Sequence, residues 1–337
     1  MKYKDKDIFA IPIGHNAGLA ENDDLLILYA PLSEHIVLID RNDEYAIRDY
    51  IEKHESINEE LKEVVDEMLS TPIFPFQTPN ISRTTKMSLL PNLVCNFACS
   101  YCYSAKGRSS TILSWDTAKV ALDYFINPER IEPQHLSLFI SGGGEPLISW
   151  GITKKCIEYA SERCRLYGFT IHISIVTNGS LITEEIAKFL LKYKCSVCIS
   201  FEVLPTLQNE QRKNFDIVDR NIQLLGEMGL RVMLNSTITP SSVSHMQEMV
   251  LSVAKRYPYV AQYTMEPVTS VDLFVTAEEL RLFYNMFYNN YIEAKDIAKC
   301  YKVPLRFTYD DGLRDITIRH CPGKFCITPQ GTVSVCH

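Results

Sequence analysis

Between Thr85 and Val275 the chain alternates short apolar runs with longer stretches of helical texture, and this alternation restricts the fold more than any other feature. The apolar runs are Met87–Leu90, Leu136–Ile140, Ile171–Val176, Cys195–Phe201, Arg231–Ile238 and Val260–Met265. Helical segments fall between them at Trp115–Ile126, Ile152–Tyr167, Glu184–Tyr193, Phe215–Met228 and Val243–Arg256. Ser114 and Thr183 stand where a side-chain oxygen caps the first turn, and Asp116, Glu184 and Glu185 follow, whose charge favours the helix dipole. Strand–helix repeats of this kind build a parallel sheet through right-handed crossovers. A closed eight-fold barrel takes about 250 residues. Six repeats within residues 85–275 therefore predict an α/β fold, a partial parallel (βα)6 barrel with its chemistry at the carboxyl ends of the strands.

Two segments flank this core. Residues 1–82 predict a small α+β unit, with strands at Leu25–Ala30 and Ile36–Ile39 and helices at Asp43–His54 and Asn58–Leu69. Thr71-Pro72, Phe74-Pro75 and Thr78-Pro79 then form a linker, because each proline biases its predecessor toward an extended form. The barrel is assigned residues 83–275, and residues 276–337 a helix from Ala277 to Lys299 followed by a cysteine-bearing appendix with strands at Leu305–Tyr309, Asp315–Arg319 and Thr332–Val335. The chain stops at Cys336-His337, one residue past a candidate ligand, which reads as truncation of a longer protein.

Charge and hydropathy exclude several roles. Lys and Arg number 34 against 41 Asp and Glu, a net charge of −7, so bulk attraction to nucleic acid or anionic lipid is not expected. The longest apolar run, Leu25–Leu32, is far too short to span a bilayer, and no apolar signal segment follows MKYKDKD. The expected location is cytoplasmic. Eleven cysteines in such a chain read as metal ligands or core residues rather than disulfides. Cys156, Cys164 and Cys300 lie singly in helical stretches and are expected to be buried. Cys195 and Cys198 are three apart in a strand, so they point to opposite faces and are read as core packing.

The sharpest motif is Cys95-Asn-Phe-Ala-Cys99-Ser-Tyr-Cys102, directly after the first barrel strand. Three thiolates on one short loop can grip a cubane iron–sulfur cluster and leave one iron open. A zinc knuckle would need a fourth ligand from elsewhere. With Tyr101 before the last cysteine, the motif resembles the signature of the radical S-adenosylmethionine (SAM) superfamily, and further motifs of that family follow in order. Gly142-Gly-Gly-Glu145-Pro146 ends the second strand; the resemblance implies that Gly143, Gly144 and Glu145 bind the amino group of SAM. Thr177-Asn178-Gly179 ends the third, which implies Asn178 near the ribose. At the fourth, Ser200 and Arg212 match, with Arg212 a natural clamp for a carboxylate, while Glu202-Val203 stands where Asp-Gly is usual. Asn235–Ile238 and Met265–Val268 end the remaining strands, and the sequence does not choose which of them lines the adenine or substrate side of the cavity.

Beyond the barrel, the run from His320 to Cys336 is similar to the opening of a SPASM-type or twitch-type extension, with Cys321 and Cys336 as its ends, Gly331 in its turn and Cys326 as an extra thiol. A zinc hairpin is the alternative there. The resemblance implies a [4Fe–4S] cluster on Cys95, Cys99 and Cys102, SAM as cosubstrate and an auxiliary cluster at Cys321 and Cys336. It also implies an electron donor such as flavodoxin or ferredoxin. The implied chemistry is one-electron cleavage of SAM to a radical that takes a hydrogen from a peptide or protein, as in maturases of ribosomally made peptides. Two other readings stay open: an anaerobic sulfatase-maturating, formylglycine-generating enzyme, and a non-catalytic zinc-binding adaptor on a decayed fold. For the N-terminal unit, capture of a leader segment by strand addition stands beside a structural cap or dimer surface.

Overall fold

The computed structural model describes residues 2–3, 8–12, 25–70, 81–269, 271–308 and 324–334. The described residues lie in two compact units, divided between residues 79 and 80. The first is a four-stranded antiparallel meander, β1 (Lys2–Tyr3), β2 (Ile8–Pro12), β3 (Leu25–Ala30) and β4 (His35–Asp40), with helices α1 (Glu44–Lys53) and α2 (Glu59–Ser70). Alternation along β3 buries Leu26, Leu28 and Ala30, which pack with Ile8, Ile47, Val65 and Met68 in this unit's own core. His54 ends α1 in the left-handed conformation, and a 2.5 Å bond from Tyr50 Oη to Asp66 ties α1 to α2. The proline-spaced linker lies outside the described residues.

In the second unit the expected alternation appears as β5 (Lys86–Leu89), α3 (Trp115–Phe125), β6 (His135–Ile140), α4 (Trp150–Tyr167), β7 (Thr170–Thr177), α5 (Glu184–Lys192) and β8 (Ser196–Ser200). A short helix absent from the sequence reading, α6 (Pro205–Gln211), precedes α7 (Phe215–Glu227), β9 (Val232–Ile238), α8 (Met246–Arg256), β10 (Gln262–Pro267) and the long α9 (Ala277–Tyr301). The caps form as expected: Ser114 accepts from the Thr117 N–H, and Thr183 from that of Ile186.

Strands β5 to β10 pair in parallel in chain order. The sheet is wider than the six expected strands. β11 (Leu305–Arg306) extends it beside β10, and β12 (Phe325–Ile327) pairs in parallel with β5, bringing β13 (Val333–Ser334) to the far edge. Among the described residues the sheet is open between β11 and β13, in keeping with a partial barrel. The described part of the C-terminal appendix is thus built into the core sheet. The strand expected at Asp315–Arg319, like Cys321 and Cys336, lies outside the described residues.

Register divides the sheet into two faces. Leu89, Leu138, Ile175, Val197, Leu234 and Met265 are buried in the main core. The other face is largely polar, because pairing aligns Ser88 with Phe139, Phe139 with Ser174, Ser174 with Ser196, Ser200 with Asn235, and Thr237 with Glu266. In a parallel sheet both faces are usually apolar, so this polarity sets the second face apart as the candidate side for a bound group. Among the described residues no helix is long and apolar enough to cross a membrane.

Candidate functional site

The loop from Leu90 to Ser114 leaves β5 and is held at its root by Asn92, a buried residue that the motif reading passed over. Asn92 Nδ2 donates to the Glu145 carbonyl at 2.9 Å and to Ser149 Oγ at 2.6 Å. Its Oδ1 accepts from the Val94 N–H at 2.9 Å, and its carbonyl from the Gly144 N–H at 3.1 Å. Glu145 N–H then donates to the Val94 carbonyl at 2.7 Å. A Cβ added to Gly144 would lie 2.0 Å from the Val94 oxygen and 2.3 Å from Asn92 Oδ1. Glycine is required here for close packing of the β6 turn against the cysteine loop. Gly143, at φ +67°, has the same constraint against Leu93 and the Asn92 carbonyl.

Glu145 lies almost wholly inside. Its carboxylate accepts from the Leu147 N–H at 3.1 Å, Thr177 Oγ1 at 2.7 Å and the Asn178 N–H at 2.7 Å. Burial raises its carboxyl above the ordinary range, and these bonds oppose the rise. Its oxygens thus fasten the ends of β6 and β7 together. Asn178 continues the chain of contacts: its Nδ2 donates to Asn96 Oδ1, inside the cysteine motif, at 2.8 Å.

The fourth strand end is tied to the same loop by a buried trio. Tyr101 Oη donates to Glu202 Oε1, and Arg212 Nη1 donates to Tyr101 Oη at 2.7 Å. Glu202 is fully buried and Arg212 is 9% exposed; the two are 3.9 Å apart, at Oε1 and Nη1. Among the described residues neither Glu202 Oε2 nor Arg212 Nε has a hydrogen-bond partner. Burial pushes the Glu202 carboxyl up to about 7, although Arg212 and Tyr101 pull it down. Burial also raises the Tyr101 phenol, while the Arg212 guanidinium, despite its burial, is held more firmly charged by Tyr101, Cys99 and Glu202. Val203 follows at φ +64°, fully buried, a conformation that costs a β-branched residue about 1–2 kcal/mol and glycine little. Helix α6 then brings Arg212 back, and the Ser100 N–H donates to the Gln211 carbonyl at 3.0 Å.

Cys95, Cys99 and Cys102 are half-buried on this loop. Burial raises the Cys99 thiol, against the pull of Arg212. At Cys102 burial also acts upward, but hydrogen bonds with Ser104 and Arg108 outweigh it and lower the thiol. Among the described residues no three Cys, His, Asp or Glu side chains close on one metal ion. Ligands of a cubane sit on separate irons, so they need no common focus. Of the remaining cysteines, Cys156, Cys164, Cys195 and Cys326 are buried. Two differ from expectation. Cys300 is exposed on α9, because its position in that helix faces away from the core. Cys198 is half-buried, because its register with Val176 and Met233 puts it on the polar face with Ser200.

Residues 89–252 match the family model of the radical SAM superfamily. The chain is 23% identical over 277 residues to the radical SAM cyclopropyl synthase TigE of Paramaledivibacter caminithermalis, covering 72% of this chain and 55% of that protein. It is 32% identical over 150 residues to the serine-type anaerobic sulfatase-maturating enzyme of Bacteroides thetaiotaomicron, covering 41% and 35% respectively. The chain therefore spans about half or less of the length of these two curated relatives. Among solved structures, anSMEcpe with bound AdoMet superposes with a TM-score of 0.62 at 18% identity, covering 74% of each chain. Streptococcus suis SuiB bound to S-adenosylmethionine superposes at 0.55 and 17% identity, covering 93% of this chain and 81% of that one.

Proposed function

The chain carries a radical SAM domain, and from that premise we propose that it is a radical SAM enzyme acting on a peptide or protein, most specifically a maturase of a ribosomally made peptide. The observation that carries the reading is the convergence of three separate strand ends on one cysteine loop. Glu145 and Gly144 reach it through Asn92 and Val94, Asn178 through Asn96, and Arg212 and Glu202 through Tyr101. Distant segments are thereby locked around three sulfurs whose donor type suits an iron–sulfur cluster.

Cys95, Cys99 and Cys102 would hold a [4Fe–4S] cluster. The chemistry that cluster and SAM supply when bound is one-electron reductive cleavage of SAM and removal of a hydrogen atom from the substrate. The protein orients and shields that chemistry. Arg212, with an unpartnered buried Nε, suits the carboxylate of SAM. Gly143, Gly144 and Glu145 would meet its amino group, Asn178 its ribose and Ser200 its ribose or carboxylate, while Tyr101 holds Arg212 in place. The polar sheet face, with Asn235, Thr237 and Glu266, takes the substrate side. An auxiliary cluster at Cys321 and Cys336 and an electron donor such as flavodoxin or ferredoxin complete the proposal. In the N-terminal unit, β4 forms an edge of its sheet and offers strand addition to a leader segment.

Support for a peptide or protein substrate comes from the relatives, which include sulfatase-maturating enzymes and the structure of anSMEcpe with bound AdoMet and Kp18Cys peptide. Anaerobic reconstitution tests the reading. Iron and sulfide uptake with release of 5′-deoxyadenosine under reductant is the expected result, lost in Cys99→Ala and kept in Cys198→Ala. Stoichiometric zinc without SAM cleavage, or equal loss in both variants, would overturn it. The product mass then separates side-chain oxidation to formylglycine from ring closure or epimerisation.

A further inference from the structure

Two side chains meet Cys102 Sγ among the described residues, Ser104 through Oγ at 3.3 Å and Arg108 through Nη2 at 3.2 Å. They are not equivalent. The Ser104 hydroxyl has one hydrogen, and its Oγ also lies 3.0 Å from the Gly143 carbonyl oxygen, which can only accept. With that hydrogen directed at the carbonyl, the contact between Ser104 and Cys102 requires the thiol to donate. A cysteine that ligates metal has lost that proton. The Ser104 hydroxyl can then turn its single hydrogen to the sulfur only by giving up the Gly143 carbonyl, whereas the guanidinium of Arg108 donates with hydrogens to spare and brings a full positive charge.

The same guanidinium donates from Nη1 to the Phe97 carbonyl at 2.5 Å, so it bridges the segment between Cys95 and Cys99 to Cys102. Arg108 is half-buried, and among the described residues its Nε has no hydrogen-bond partner, so these two bonds set its orientation. Resting on the reading that Cys95, Cys99 and Cys102 hold a [4Fe–4S] cluster, we propose that Arg108 is a positioning residue that sets the cluster's reduction potential through Cys102. Reduction adds one negative charge to the cluster and its sulfurs. A cationic donor on one sulfur stabilises that charge and raises the potential.

Redox titration of the anaerobically reconstituted chain, followed by electron paramagnetic resonance without SAM, tests this. Arg108→Met should lower the reduced-to-oxidised ratio at a given potential and move the midpoint to a more negative value, each tenfold fall in that ratio being a shift of about 59 mV for one electron. Arg108→Lys keeps the charge and a donor, and should shift the midpoint less, in the same direction. Ser104→Ala removes only a neutral hydroxyl whose hydrogen is shared with the Gly143 carbonyl, and should shift the midpoint clearly less than Arg108→Met. A fully loaded Arg108→Met protein with the wild-type midpoint overturns the proposal, as does an equal shift in Ser104→Ala. If Arg108→Met takes up no iron, Arg108→Lys decides, and a wild-type midpoint there overturns it too. A wild-type chain that takes up no iron defeats the functional reading; a loaded one indifferent to Arg108 defeats this inference alone.

Discussion

Replacing Glu202 with Gln should change how stability depends on pH, by an amount that follows from the burial of this carboxyl. Glu202 is fully buried, and its pKa moves from 4.5 to about 7 because burial outweighs the attraction of Arg212 and the Tyr101 hydrogen bond. A carboxyl whose native pKa lies above its unfolded value supports folding fully below the unfolded pKa, here near 4.5, and loses that contribution as pH rises through about 7. At 1.36 kcal/mol per pH unit, the interval from 4.5 to about 7 amounts to about 3 kcal/mol. Gln keeps an oxygen to accept from Tyr101 and never ionises. Urea unfolding of iron-free wild-type and Glu202→Gln proteins across this pH range should therefore diverge. The two should be similar at the acid end, and the variant should be more stable by about 3 kcal/mol above the native pKa. Parallel curves, or a variant that loses ground as pH rises, would refute the reasoning.

Other perturbations follow from local geometry. Gly144→Ala places a Cβ 2.0 Å from the Val94 oxygen, where both neighbours are fixed by hydrogen bonds. It should cost about 2–3 kcal/mol in urea unfolding and abolish iron uptake. Gly107→Ala on the same loop meets nothing within 4 Å and should change stability by less than about 0.5 kcal/mol with full iron content. Gly151 sits in the first turn of α4, also with open space around its Cβ position. Gly151→Ala should raise stability by about 0.5–1 kcal/mol, seen as a higher midpoint in thermal unfolding.

Local signals carried much of the fold. The Ser114 and Thr183 caps lie where the residue pattern puts them, and each barrel strand appears within a few residues of its apolar run. These features depend on neighbours in the chain, so the chain displays them directly. The width of the sheet does not. Phe325–Ile327 pairs with Met87–Leu89, and nothing within either tripeptide specifies a partner so distant in sequence. The same reason hid Asn92, one polar residue among apolar ones until the β6 turn is folded against it.

For the site, the cysteine spacing and the order of strand-end motifs were visible as residues, because ligand type and loop length are properties of sequence. Glu202 was visible only as a departure from Asp-Gly. Its burial against Arg212 and Tyr101 depends on α6 turning the chain back toward the loop. Residue identity determined which groups could bind iron, sulfonium or carboxylate. Tertiary packing decided which of them are desolvated, which are already tied to one another, and which sulfur faces a cation, because hydrogen-bond partners and burial arise only when separate strand ends meet.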